Sequence, residues 1–174
     1  MPLTRIPPGR LRFLAVPALV VYLLAFLPFL LVGDPQDMVR LQLAGSEEKA
    51  QEIVAGWSPA EAVDMAFLQG VDFVHPLAYG LLLTVGAVWA GRRLRGRLAR
   101  WSSAVAWMAG AAALFDVLEN VGMIVMIRGD VGSPVPQVTT AFAFAKYAMF
   151  SVAVPYVLAG LASRRRAGRD SASG

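Results

Sequence analysis

Apolar residues fall into four long runs along the chain, and charge is confined to the segments between them. The first run, FLAVPALVVYLLAFLPFLLV from Phe13 to Val32, contains no charged residue. The others cover about 71–91, 102–127 and 138–162 and are uncharged except at a few inner positions. A bilayer core of about 30 Å takes about 20 apolar residues in helical form, because only a helix or a closed barrel satisfies every backbone group in lipid. The pattern therefore predicts an all-α fold, a polytopic membrane four-helix bundle, with 1–174 forming a single membrane domain. Pro17 and Pro28 are expected to bend the first span near its ends. A cleaved signal peptide is the competing reading of that span, but the run is longer than a typical signal core and no A-x-A site precedes Asp34.

The segment from 33 to 70 is too long to lack structure without a reason, and it carries helix punctuation. Asp34, Pro35 and Asp37 read as an N-cap, a proline at the first helical position and an acid near the positive end of the helix dipole. Ser46 before Glu47 and Glu48 starts a second segment, and Ser58, Pro59 and Glu61 form a capping box for a third. Short amphipathic helices lying over one mouth of the bundle are expected, the third one running into the second span. The tail RRRAGRDSASG, 163–174 with its preceding serine, reads as solvated and disordered. Small residues four apart, Gly80 with Thr84, Gly86 with Ala90, Ala106 with Gly110 and Ala109 with Ala113, supply packing surfaces.

Composition confirms the class. Of 174 residues, 57% are hydrophobic and 16% charged, against about 25% charged in a soluble domain, and no separate soluble domain fits. Cysteine is absent, which excludes disulfides, thiolate metal sites and cysteine nucleophiles. The net charge of +4 invites a nucleic-acid reading that the charge positions oppose. Arg5, Arg10 and Arg12 precede the first span; Arg92, Arg93, Arg95, Arg97 and Arg100 fill the loop after the second; Arg164, Arg165, Arg166 and Arg169 follow the fourth. The remaining loops hold only Arg40, Lys49 and Arg128 beside eight acids. By the positive-inside rule both termini are cytoplasmic and 33–70 lies outside, so the arginines serve topology and lipid contact. The same bias excludes a dual-topology antiparallel transporter.

Against this background the polar groups inside the spans stand out, since each costs about 2.5–3.5 kcal/mol near a bilayer centre on insertion scales. FDVLEN in the third span places Asp116, Glu119 and Asn120 on one helix face. DFVHPLAY in the second aligns Asp72, His75, Pro76 and Tyr79, and the fourth carries Lys146, Tyr147 and, one face-repeat earlier, Thr139. At 1.5 Å per residue, Glu119, Tyr79 and Lys146 each lie about 12 Å below the outer ends of their spans, with Asp116 about 16 Å and His75 about 6 Å down. The inner halves hold nothing comparable, so one polar chamber opening outwards is expected. Lys146 should contact Glu119 or Asp116, since an unpaired ammonium in lipid is strongly destabilising. Three carboxylates still outnumber one lysine, so a dry network must hold a proton, charge His75, admit water or bind a cation.

No metal is expected, because the lone histidine has no H-x-x-x-H or E-x-x-H partner. Nor is nucleophilic hydrolysis: Ser151 and His75 lie on different helices and no G-x-S-x-G occurs. LQLAGSEEKAQEIVAGW, the D-x-x-x-P-x-x-Y pattern of Asp72, Pro76 and Tyr79, the D-x-x-E-N of the third span and Lys146 together resemble a group of uncharacterised bacterial four-span membrane proteins, over about 41–146. The resemblance implies a four-helix fold with a shared polar core and carries no activity. The reading that results is a bacterial inner-membrane protein whose outward-facing pocket binds a small amphiphile or lipid headgroup. Glu119 is its principal acid or base, Lys146 the electrostatic partner, Asp116 and Asn120 the orienting groups, and Asp72, His75 and Tyr79 the mouth. Its expected partners are membrane lipids and such an amphiphile, with no nucleic acid and no cofactor. Two alternatives stay open: a membrane enzyme with Glu119 as acid or base, and a structural or interaction protein in which Asn120 clasps an internal salt bridge. Transport would require a homo-oligomer to complete a path, because the inner halves offer little beyond Thr84, Ser102, Ser103 and Ser151.

Overall fold

The computed structural model describes residues 8–32 and 34–170, with side chains described for 13–32, 34 and 36–163. Arg5 and residues 171–174 lie outside the described residues, and of Arg10, Arg12 and the four tail arginines only the backbone is described. The chain is all-helical: α1 (Pro8–Leu31), α2 (Pro35–Gln42), α3 (Glu47–Ala55), α4 (Pro59–Asp72), α5 (Val74–Gly91), α6 (Arg97–Arg100), α7 (Ser102–Ile127) and α8 (Val135–Asp170). Among the described residues four helical stretches are long and apolar enough to cross a membrane: Phe13–Leu31, Pro59–Gly91, Ser102–Ile127 and Val135–Ser163. Packed together they form a four-helix membrane bundle.

The helix starts follow the punctuation. Asp34 accepts from the Gln36 N–H at 2.8 Å, Ser46 accepts from the Lys49 N–H at 3.3 Å, and Ser58 and Glu61 exchange backbone N–H groups as a capping box. The second span does not begin at 71. α4 leads into α5 with one turn residue between them, Phe73, because Pro76 has no N–H to bond the Asp72 carbonyl and the ladder is interrupted there. α7 ends in a Schellman motif: Gly129 adopts φ +93°, its N–H meets the Met126 carbonyl, and the Asp130 N–H reaches back to Val125. α8 differs from expectation at both ends. It starts at Val135 and runs on to Asp170, so the backbone of 163–170, expected to be disordered, is helical; the segment has no proline and arginine and alanine favour the helix. α1 stays helical through Pro17 and Pro28.

α5 lies at the centre, packed against α1, α7 and α8, while α1 touches mainly α5 and α4. Much of α1 faces outward, with Phe13 77% and Leu31 80% exposed; an apolar surface of that extent on every side suits lipid. Two apolar clusters divide the bundle. Val85, Ala87, Val88, Ala90, Val105, Ala106, Ala153 and Tyr156 pack the end of the bundle nearest α6. Met38, Leu41, Ala44, Ala50, Met65, Leu68, Met123, Met126 and Val131 pack α2, α3 and α4 onto the opposite end. On α7 the polar residues 116–120 fall between Ala106 and Met123, so the polar layer is sandwiched between the two.

Close helix approach rests on small residues, but not on all those expected. A Cβ at Gly80 would lie 2.6 Å from Ala113 Cβ, and one at Gly160 2.3 Å from Ala90 Cβ and 2.7 Å from its Cα. Hydroxyls bridge the same seam, Ser102 donating to the Ala87 carbonyl at 3.1 Å and Thr84 to that of Ala106 at 3.3 Å. Gly110, paired with Ala106 in the sequence pattern, instead faces open space and is exposed. Gly160→Ala should therefore destabilise the protein by about 1–3 kcal/mol through overpacking, whereas Gly110→Ala should be neutral or stabilising by up to about 1 kcal/mol through helix propensity. Thermal unfolding of the two variants in the same lipid checks this, and equal losses would contradict the packing described.

Candidate functional site

The polar layer is built by three helices that meet at one lysine. Lys146 on α8 donates from Nζ to Asp116 Oδ1 at 2.9 Å and lies 2.6 Å from Glu119 Oε2, both acids being on α7. Its side chain is 8% exposed, those of Asp116 and Glu119 7% and 2%. Both contacts lie within the range of charge-assisted hydrogen bonds, so two buried carboxylates hold the one ammonium. The second oxygen of Asp116 accepts from the Tyr79 hydroxyl of α5 at 2.8 Å. Lys146 thus contacts both of the acids named for it.

A second pair stands beside the first. Asp72, at the end of α4, and His75, in the first turn of α5, are three residues apart and meet at 2.9 Å between Oδ1 and Nδ1. With Asp72 as a carboxylate acceptor, Nδ1 carries a proton, and in the neutral form of the ring Nε2 is a free lone pair. His75 is only 8% exposed, and Nε2 has no hydrogen-bond partner. Its ring lies among three aromatics of α1: Tyr22 at 5.3 Å edge-on, Phe29 at 5.1 Å and Phe26 at 6.3 Å between centroids.

These groups share a cavity of about 310 Å³. Its walls bring together Asp72, His75, Tyr79, Asp116 and Lys146 with Tyr22, Phe26 and Phe29 of α1, Met38, Val39 and Gln42 of α2, and Tyr147 and Phe150 of α8. Glu119 and Asn120 are not in that wall; both are 1% exposed. The clasp expected of Asn120 is not made, since neither atom of its amide has a partner. Its neighbour in sequence, Glu119, is turned to Lys146, and one side of a helix cannot direct every polar group at a single cation.

The roof of the cavity is α2. Gln42 donates from Nε2 to the Tyr147 hydroxyl at 2.5 Å, and Thr140 of α8 donates to the Gln42 carbonyl at 2.9 Å while accepting from the Gly45 N–H at 3.0 Å. Farther along, Glu47 accepts from the Ser133 N–H at 3.2 Å. Thr139, grouped with the site in the sequence, donates to the Val135 carbonyl of its own helix at 2.8 Å and packs against Gly122. It is a packing residue at the α7–α8 seam.

Sequence reading missed the α1 wall, Gln42 and Phe150, and also Gln69 of α4, whose buried amide has no partner. One signal was present: Tyr22, Phe26 and Phe29 are spaced four and three apart, an aromatic stripe on a single face of an otherwise aliphatic span. Among the described residues no group of three or more His, Cys, Asp or Glu is placed to hold a metal ion. Chemically, the site can exchange a proton or receive a hydrogen-bond donor at Asp72 and His75, while the Lys146 ion triad supplies fixed charge.

The chain has no match among protein-family models, curated proteins or solved structures. The fold and the site define the class, an integral membrane four-helix bundle with an intramembrane polar layer.

The ion triad makes a sharp energetic prediction. Lys146→Ala leaves two buried carboxylates without a counter-charge and should destabilise by about 3–5 kcal/mol. The triple change Lys146→Met, Asp116→Asn and Glu119→Gln removes all three charges together and should recover most of that loss. Unfolding in mixed micelles measures both, and a triple variant as unstable as Lys146→Ala would show that the charges are not coupled in this way.

Proposed function

We propose that the protein is a multi-pass protein of the bacterial plasma membrane, with both termini cytoplasmic, that binds a small amphiphile or lipid headgroup in its outward-facing cavity. The observation that carries the reading is the cavity itself, in which carboxylate, imidazole, phenol and ammonium groups from α4, α5, α7 and α8 converge behind aromatic walls. Ligand sites are commonly apolar clefts of about 300–1,000 Å³ with a few convergent polar groups; at about 310 Å³ this one suits a headgroup rather than a whole lipid. Asp72, His75, Tyr79, Asp116 and Lys146 would contact the ligand, and Glu119 would hold Lys146 in place. Membrane lipids are the surrounding partners. The bacterial setting rests on the resemblance carried by 41–146, and the orientation on the arginines. A catalytic role for Glu119 gains no support from its place behind Lys146.

The absence of cysteine makes orientation directly testable. Glu48→Cys in α3 should react with a membrane-impermeant maleimide in intact spheroplasts, and Arg95→Cys should react only after lysis; the reverse pattern would invert the topology. For the ligand, the purified protein in lipid nanodiscs should show saturable thermal stabilisation by some member of a lipid and metabolite panel. Tyr79→Phe and Asp116→Asn should weaken that stabilisation about tenfold or more in ligand concentration, as expected for loss of hydrogen bonds to charged groups. Undiminished stabilisation in both variants would remove the cavity as the binding site.

A further inference from the structure

The charge of the cavity constrains what can enter it. Two carboxylates of the wall, Asp72 and Asp116, and a third behind it, Glu119, share one ammonium, Lys146, so the formal sum of the polar layer is negative whether or not His75 is protonated. Among the described residues Lys146 is the one lysine or arginine in the wall, and it is already held at 2.9 and 2.6 Å by two carboxylates. A phosphate or carboxylate headgroup would therefore meet no uncommitted cation and several like charges. The opposite sign is favoured twice over. Six aromatic rings face the space, Tyr22, Phe26, Phe29, Tyr79, Tyr147 and Phe150, and a cation over such a face gains about two- to thirty-fold in affinity per well-placed ring.

The buried imidazole gives an independent pointer. With Nδ1–H directed at Asp72, Nε2 is a lone pair with no donor in the wall of the same cavity. A buried acceptor of this kind is costly until a donor reaches it. Asp72, whose side chain is 22% exposed, offers a carboxylate beside it.

Access comes from the side. The cavity's walls are drawn from α1 and α8, yet these two spans are joined through α5 rather than by an extensive contact of their own. A path between them would lead to the region that lipid tails occupy, while α2 covers the cavity through the bond of Gln42 to Tyr147. A chain-bearing ligand could leave its tail in the lipid and place its headgroup among the rings.

We propose that the ligand is an amphiphile with a protonated amine as its headgroup, entering from the bilayer between α1 and α8 and received by His75 Nε2, Asp72 and the aromatic walls. This rests on the reading of the cavity as a binding site and adds the sign and hydrogen-bonding character of its ligand. The probes are dodecylammonium, dodecanoate and dodecanol, with the same chain and different heads, and lysophosphatidylethanolamine, which carries the amine on a lipid headgroup. Thermal shift titrations at pH 7 in dodecyl maltoside are expected to show dodecylammonium binding at least tenfold tighter than dodecanol and dodecanoate. Asp72→Asn and Phe26→Leu, each verified as folded by circular dichroism, should each reduce that preference about fivefold or more. Comparable binding of lysophosphatidylethanolamine would assign the amine to a lipid headgroup, and binding of dodecylammonium alone to a free lipophilic amine; either supports the inference. Equal binding of all three dodecyl chains, if weakened by Tyr79→Phe, would keep the cavity as a site and overturn the cationic ligand. A preference for dodecylammonium unchanged in both Asp72→Asn and Phe26→Leu would reduce it to a micelle-surface effect and overturn the inference, and no stabilisation by any probe would count against both readings.

Discussion

A buried ammonium cannot stand alone in a low-dielectric bundle, and the way Lys146 meets that constraint organises the rest of the molecule. Two carboxylates from α7 close on it at 2.9 and 2.6 Å, and the hydroxyl of Tyr79 brings α5 to one of them, Asp116. A sliding of any of these helices by one residue would move a charge by about 1.5 Å along its axis and turn it through a large angle away from its partner. Buried ion pairs are weak sources of net stability, since desolvation offsets much of their attraction. What they supply is the cost of every other arrangement, so the triad defines the register of α5, α7 and α8.

That register is compatible with close packing only because the seams are lined with small residues. Ala90 meets Gly160, Ala113 meets Gly80, and Thr139 occupies the space that a side chain at Gly122 would fill. Helices brought this near gain dispersion contacts that lipid tails could not supply selectively. The cluster of alanines and valines near α6 and the methionine-rich cluster under the loop helices then confine the polar layer between two apolar regions. Within that layer α1 has a separate role. It contributes no charge among its described side chains, but its aromatic stripe converts an exposed flank of the polar groups into an enclosed wall.

The layer holds more acid than base, and one lysine with one carboxylate would suffice to join two helices. The third carboxylate, Asp72, pairs with His75 in the wall of a cavity beneath a helical roof, and His75 Nε2 is left without a partner in the protein. Such groups are retained at a cost to stability where an occupant or a proton satisfies them. The roof is itself firmly tied, by Gln42 to Tyr147 and by Thr140 to the end of α2.

The chain alone was enough to specify the spans, the loop helices with their caps, and the depth at which the polar residues gather, because these follow from local quantities: apolar run length, 3.6-residue periodicity and N-cap chemistry. It was enough also to bring Asp116, Glu119 and Lys146 together, since charge in lipid leaves few partners to choose from. Partner geometry within a face was not legible in this way. Asn120 shares the stripe of Glu119 yet bonds to nothing, Gly110 shares the spacing of a packing motif yet faces outward, and 163–170 is polar yet helical. Nor could hydropathy show that Tyr22, Phe26 and Phe29 of a peripheral span would surround His75, a residue about fifty positions away. Enclosure depends on which helix faces which, and that is decided by side-chain packing summed over the whole bundle, a quantity that no single segment contains.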